Sequence, residues 1–396
     1  MTKQIQKFQE EQTRLKLVVR IIFSALFIQL LICFRLWIPG LRSFPMISLF
    51  KWLPVLWGNI PDIVLYLVML GSCVTIIIRP LLQKALVCLL FAYLLLLVED
   101  IDRLQPWLYI YLLMVSPLLF GGRNKTVSTI FLCRLVLTSV YFWSGLQKLN
   151  VHFAGNVFPW LVDFTGGREY FETHTIYAYI VAFSEMSMGI LLWIKPLRKM
   201  ACFMVFGMHL FILIALCPLC HNWNYVVYPW NIAFASLVYL LFFRSTPTVI
   251  KLSKQQFAAK LYLVPVIFLA GLMPFFGLMD KWDHLLSYGF YSGMPPDPEY
   301  YLPASKRGLL PLSSLHSQYL SDNKNTCYVQ IDTWVMDEMN VPLYPEDRVY
   351  YEVAKKLSTT VVHDEQHTGL TINRKARFSD DDKMSYYSFE QIAEMK

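Results

Sequence analysis

Charge is what this sequence has least of. Only 16% of its 396 residues are Asp, Glu, Lys or Arg, against 56% that are apolar. A soluble domain carries nearer a quarter charged residues, so an ordinary water-soluble fold is excluded. Missing as well are the alternating segments of about 10 residues that build a transmembrane β-barrel. No Walker loop, dinucleotide fingerprint or H-E-x-x-H occurs, and with them go the usual marks of nucleotide and zinc-protease chemistry. Eight cysteines in a chain of this length do not make a dense disulfide framework. There is one C-x-x-C and no second, so a four-ligand zinc site lacks half its ligands. Tandem repeats and low-complexity tracts are absent.

What is present is a series of long apolar blocks, many near the roughly 20 residues that cross a bilayer. The pattern predicts an all-α polytopic membrane protein with about nine transmembrane helices, at 17–38, 59–78, 82–99, 105–121, 127–147, 174–194, 199–217, 224–243 and 258–279. The third and fourth are joined only by Glu99-Asp100-Ile101-Asp102-Arg103, read as a tight polar hairpin. Residues 1–16 form a polar, helical N-terminal segment with no small-residue cleavage site after the first apolar block, so that block is expected to be a retained span rather than a signal peptide. Cys33, Cys73, Cys88, Cys133 and Cys202 lie in apolar segments and are expected to be buried.

The net charge of +7 is a matter of topology, not of nucleic-acid binding, because the basic residues sit at span ends. Lys3, Lys7, Arg14, Lys16, Arg79, Lys84, Arg123, Lys125, Lys195, Arg198, Lys199, Arg244, Lys251, Lys254 and Lys260 fall on one set of connections. The alternate set has only Arg35, Arg42, Lys51, Arg103, Lys148 and Arg168. The positive-inside rule then predicts a cytoplasmic N-terminus, and nine spans place both Lys148 and the C-terminal portion on the opposite side. Residues 17–279 are thus read as the membrane domain and 280–396 as a small α+β extracytoplasmic portion. Its strand candidates are 326–331 and 369–372, its helix candidate is 346–357, and its last dozen residues are expected to fray.

Several polar residues stand out against this background. Lys148 closes the fifth span just past Ser144 and Gly145. It is either a lysine that snorkels to the interface or a general base whose proton affinity is lowered by partial burial. Gly145 lets a helix or ligand approach the backbone closely. Arg134 and Glu185 lie within spans where neither can stay unpaired; a mutual ion pair or a polar cavity would satisfy both. His209, inside the seventh span, is read either as a hydrogen-bonded helix histidine or as a catalytic or ligand-contacting residue. Cys217-Pro218-Leu219-Cys220 reads as a disulfide or an incidental pair. Trp52, Trp57, Trp160, Trp223, Tyr228, Pro229 and Trp230 read as an aromatic belt, with Phe158-Pro159-Trp160 as a candidate re-entrant segment. Asp280, Asp283 and His284 around Trp282 read as a solvated face. His363 and His367 bracket a turn, so no metal site is expected.

The run Tyr141-Phe142-x-Ser144-Gly145-x-x-Lys148-Leu149-Asn150 resembles the Y-F-x-A-G-x-K-K-L-D segment of vitamin K-dependent gamma-glutamyl carboxylases and the wider HTTM membrane family. Arg134 falls seven residues before the tyrosine, as an arginine does there. Glu185-Met186-Ser187-Met188-Gly189-Ile190-Leu191-Leu192 resembles the family's D-L-S-A-G-F-L-L, and His209 takes the place of a helix histidine. The likeness covers roughly residues 90–245. It implies that Lys148 is the catalytic base, that His209 contacts substrate or cofactor, and that Arg134, Tyr141, Gly145 and Glu185 shape the cofactor site. The implied cofactor is reduced vitamin K or a related quinone, and the implied chemistry is that of a lyase or oxidoreductase. The implied substrate is a peptide or small molecule met on the outer face of the bilayer, a bacterial inner membrane. The pattern is not complete. Asp102-Arg103-Leu104-Gln105-Pro106-Trp107 is followed by Leu108 and Tyr109 where the carboxylase has a histidine linked to carboxylation. Gln147 replaces the first lysine of the pair, and with 280–396 alone following the last predicted span, most of the carboxylase's large lumenal domain is expected to have no counterpart here. The chain also resembles DoxX-like membrane proteins, which implies a quinone-linked redox role for Cys217 and Cys220. A non-enzymatic role in peptide maturation, export or immunity is the third alternative.

Overall fold

Long apolar runs without internal proline form helices, and that is how most of this chain folds. The computed structural model describes residues 2–53, 58–120, 125–244, 261–379 and 381–395. Helix α1 is Thr2–Ile32, α2 Asn59–Ile78, α3 Gln83–Glu99, α4 Pro106–Val115, α5 Lys125–Gln147, α6 Ile176–Leu191, α7 Arg198–Ala215 and α8 Val227–Val238. Among the described residues, four stretches are long and apolar enough to cross a membrane: Phe8–Ile32, Asn59–Ile78, Thr126–Gln147 and Arg198–Ala215. The other predicted spans correspond to shorter helices. The 16 residues of α6 rise about 24 Å, short of the ~30 Å hydrocarbon core. The last run contains Pro265, Gly271 and Pro274, and it breaks into a 3₁₀ turn, two short α-helices and a π-turn between Leu261 and Gly277, as prolines inside a helical run dictate. Its first residues, 258–260, lie outside the described residues, as do Trp57, Arg123, Lys251 and Lys254. The polar N-terminal segment is not a separate element: α1 runs through it without a break.

The chain divides into two compact units. The first comprises Met1–Leu31, Leu67–Ala92 and Gln105–Ser292; the second, Ile32–Tyr66, Tyr93–Leu104 and Gly293–Lys396. The second unit is therefore more than the polar C-terminal portion, because it recruits two stretches from the apolar part of the chain.

In the first unit, α5 and α6 pack backbone to backbone. A Cβ on Gly145 would collide with Met186 N and lie 2.6 Å from Ala182 O; one on Gly189 would lie 2.5 Å from Thr138 O. Small residues at helix crossings are the usual way membrane helices come this close. The reciprocal pairing of 145 with 182–186 and of 189 with 138–142 makes the two helices antiparallel. Beyond α5, Asn150 accepts from Phe153 N (2.8 Å) and donates to Gln147 O (2.8 Å) and Ser292 O (2.9 Å). That junction starts a π-turn, Phe153–Val157, and a short helix, Phe158–Val162. Phe153, Phe158, Leu161 and Val162 are buried against Ala178, Ala182, Leu216 and Val227.

The second unit carries a five-stranded antiparallel sheet in the order β2-β3-β1-β4-β5, with β1 Asp297–Pro303, β2 Gln318–Leu320, β3 Thr326–Gln330, β4 Gly369–Arg374 and β5 Lys383–Ser388. Tyr300 in β1 lies opposite Val329 in β3 and Leu370 in β4, all three fully buried. Helices α9 (Ile331–Met339) and α10 (Asp347–Lys356) bury Trp334, Val335, Val349 and Tyr350. The chain does not fray at 389–394 but ends in helix α11 (Phe389–Glu394), whose capping box joins Ser388 and Gln391. The acidic hairpin is not at a surface. Glu99, Asp100, Asp102 and Arg103 are all 0% exposed. Arg103 pairs with Asp62 at 2.7 Å and donates to Leu96 O at 2.8 Å, Arg42 pairs with Asp100, and Asp102 accepts from Tyr344 N at 3.1 Å. The surrounding charges and backbone groups provide the partners that burial requires.

Candidate functional site: an apolar cavity in the first unit

Tyr141 and Ser144 on α5, and Lys148 in the turn that directly follows its last residue, stand at i, i+3 and i+7, so a period near 3.6 residues brings them to one side. The Gly145 crossing brings Glu185 of α6 to the same level. Lys148 Nζ donates to Ser144 Oγ at 2.6 Å and lies 2.9 Å from Glu185 Oε2 and 3.1 Å from Oε1. Lys148 is 8% exposed and Glu185 9%, so the ammonium ends in an ion pair rather than reaching out to an interface.

Glu185 therefore pairs with Lys148, not with Arg134. The reason is distance along the helix. Arg134 lies eleven residues before Gly145, a rise of about 16 Å, while Glu185 sits at the Gly145 level. Arg134 instead donates from Nε to Leu241 O at 3.0 Å.

A second polar group lies on the same side. Tyr141 Oη is 2.9 Å from His209 Nε2, and His209 Nδ1 is 2.6 Å from Asn231 Oδ1. Asn231 Nδ2 donates to Val227 O at 2.7 Å, which fixes the amide with its oxygen toward the imidazole. His209 then donates from Nδ1–H, and in the neutral ring Nε2 accepts the Tyr141 hydroxyl.

Both groups border one cavity of about 110 Å³. Tyr141, Ser144, Lys148, Glu185, His209 and Asn231 are its polar wall. The rest is aromatic and aliphatic, with Phe153, Phe158, Trp230, Phe234, Phe290 and Tyr291 among its residues. Val181, also in the wall, is 41% exposed. Arg134 and Gly145 do not line the cavity; Gly145 meets the backbone of α6 instead. Asn231 was not singled out from the sequence, although it is the one amide in α8, and an unpaired amide in an apolar helix is itself a signal.

Other expected features sit elsewhere. Cys217 and Cys220 are free thiols in one turn, with Cys220 N donating to Cys217 O at 2.9 Å. Cys88 is exposed, unlike the other four cysteines of the apolar segments; its side of α3 faces outward. Much of the supposed aromatic belt is internal packing. Trp160 stacks on His221 at 4.2 Å, Trp230 packs edge-on against Phe290 at 4.8 Å, and Tyr228 donates to Leu216 O. Trp52 remains 77% exposed. Phe158 and Pro159 are buried in protein, the setting a re-entrant segment needs. Asp283 and His284 are part of a folded loop rather than a solvated face: Asp283 accepts from Leu286 N (2.8 Å), and His284 Nε2 lies 3.1 Å from Ser292 Oγ. His363 adopts a left-handed turn, and no group of metal-binding side chains occurs among the described residues.

Neither a family model, a curated protein nor a solved structure matches this chain.

Proposed function

We propose that the protein is a polytopic membrane enzyme of the carboxylase-like HTTM class, with nine spans, a cytoplasmic N-terminus and a cavity open to a substrate from the outer side. Lys148 and Glu185 form its proton-accepting pair. The observation that carries this reading is a buried lysine–carboxylate pair in the wall of an otherwise aromatic cavity. Structural ion pairs gain nothing from an adjoining cavity, whereas a base must be reached by the group it deprotonates.

The residues present suit a quinone ring. The walls are apolar and aromatic, and the volume is of the order of the roughly 150 Å³ cavity that takes a benzene ring. A reduced quinone, when bound, supplies an acidic ring hydroxyl and two electrons. Lys148 and Glu185 carry no net charge together, which is what apolar walls tolerate. The pair can take up one further proton. Glu185 accepts it directly, or takes the ammonium proton and leaves Lys148 a neutral amine to receive it. Either order leaves one positive charge on the pair, strengthened toward a neighbouring anion by low polarity. The aromatic walls keep water from that charge, and His209 and Tyr141 contact the ring.

Oxygen uptake by the purified protein in nanodiscs, driven by menadiol, tests this. Lys148→Ala is expected to abolish uptake, while a Cys217→Ser/Cys220→Ser double variant keeps it. Full uptake by Lys148→Ala would sink the base assignment. The reverse pattern would favour the DoxX-like dithiol reading, which the two free thiols in one turn support. Cellular function that survives Lys148→Ala would favour a non-enzymatic role.

A further inference from the structure

The hydrogen bonds at Tyr141 have a direction, and direction decides what kind of ligand atom the cavity accepts. Asn231 is anchored by its own donation to Val227 O. Its oxygen consequently takes the Nδ1 proton of His209, His209 Nε2 takes the hydroxyl proton of Tyr141, and Tyr141 has no proton left to give. Tyr141 Oη keeps free lone pairs, and Tyr141 lines the cavity. The Tyr141–His209–Asn231 chain thus presents an acceptor. Resting on the reading of the cavity as a ring-binding site, we infer that this chain is a specificity device: it selects an aromatic ring bearing a hydroxyl, a phenol or hydroquinone, over the same ring with only acceptor oxygens. Tyr141 makes the contact. Asn231 acts through His209 and is a positioning residue.

The physical basis is asymmetric. A ring hydroxyl placed against Tyr141 gains a hydrogen bond in a site of low polarity. A ring carbonyl or ether placed there meets lone pairs with lone pairs and gains none. One neutral hydrogen bond changes affinity by about 3- to 10-fold, and an unsatisfied buried polar atom adds to the discrimination.

The role of Asn231 makes a stronger statement. If its oxygen is removed, nothing holds the Nδ1 tautomer. The imidazole can then protonate Nε2 and donate to Tyr141 Oη, which turns the tyrosine hydroxyl toward the cavity as a donor. The preference should not merely weaken; it should reverse.

The test needs no catalysis. Trp230 lines the cavity, so binding can be read from quenching of its fluorescence in the full-length protein in nanodiscs, with Trp230→Phe as the control that removes the signal. The probes are 1-naphthol and 1-methoxynaphthalene, which differ in the hydroxyl donor. The wild-type protein is expected to bind naphthol about 3- to 10-fold more tightly. Tyr141→Phe should bring the ratio to near one, Asn231→Leu should invert it, and Asn231→Asp, which still accepts from Nδ1, should retain it. Equal binding of both probes by the wild type, or an unchanged ratio in both Tyr141→Phe and Asn231→Leu, would overturn the inference while leaving the ring-binding cavity intact. Failure of both probes to bind would overturn the cavity reading itself.

Discussion

Removing the Glu185 carboxylate tests whether the Lys148 pair is truly shielded from solvent. Both side chains are about a tenth exposed, at 10% and 11%, so solvent screening offers little compensation. With Glu185→Leu, the ammonium keeps its hydrogen bond to the Ser144 hydroxyl but loses its countercharge, and breaking a buried pair at one end costs about 3–5 kcal/mol. Lys148→Met should cost a similar amount for the stranded carboxylate. The double variant Lys148→Met/Glu185→Leu replaces the pair by apolar groups of similar volume and is expected to recover most of the loss, since such replacements are often near neutral. At roughly 2–4 °C per kcal/mol for a unit of this size, each single variant should melt about 6–20 °C lower. Near-UV circular dichroism of the protein in detergent would follow the melt, and the double-variant cycle would give the coupling energy. Single losses below about 0.5 kcal/mol that simply add in the double variant would refute the reasoning, because exposed pairs behave that way.

Three further outcomes are expected. Gly145→Ala forces a Cβ onto backbone atoms of α6 that cannot swing aside; it should destabilise by about 1–3 kcal/mol, and Gly189→Ala should do likewise, both read by the same melts. Asp102, in the buried hairpin of the second unit, has its carboxyl pushed up to about 7 by burial and then by the Asp100 carboxylate, against the opposing pull of Arg42, Tyr344 N–H and Arg103. Between its ordinary 3.8 and about 7 the unfolded chain ionises while the folded one keeps the proton. This group therefore lowers stability by up to about 1.4 kcal/mol per pH unit as pH rises through that window, and not beyond it; Asp102→Asn should flatten that slope in melts from pH 4 to 8. Ser388→Ala removes the capping box of α11 and should cost about 1 kcal/mol, seen as faster amide exchange over 389–394.

How much could be read beforehand depended on the kind of signal. Helices announced themselves, because an apolar run has one way to satisfy its backbone in lipid. Lys148, His209 and Tyr141 were visible as polar or motif residues, and they do share a cavity wall. The partner of Glu185 was not visible, since a linear sequence does not show which level of α5 meets which level of α6; the crossing glycines decide it. In the second unit, β3, β4 and α10 matched their apolar patterns. Strand β1 was hidden by Pro298 and Pro303, which weaken any strand reading. Strand β5, Lys383–Ser388, is a polar edge with no buried face of its own. The burial of Glu99–Arg103 was illegible for another reason: its partners Arg42, Asp62 and Tyr344 are scattered along the chain.

That scatter sets an order on how the protein can be made. The Arg42–Asp100 and Arg103–Asp62 pairs join residues 58 and 41 positions apart, so these charges can neutralise one another soon after residue 103 is synthesised. Tyr344, which donates to Asp102, comes 242 positions later. At about 5–20 residues per second of synthesis, Asp102 waits roughly 12–48 s for that partner. During that interval the nascent chain holds a half-built ionic knot. A ribosome stalled before residue 344 would leave a chain whose membrane helices are made but whose second unit cannot close, a ready substrate for quality-control proteolysis.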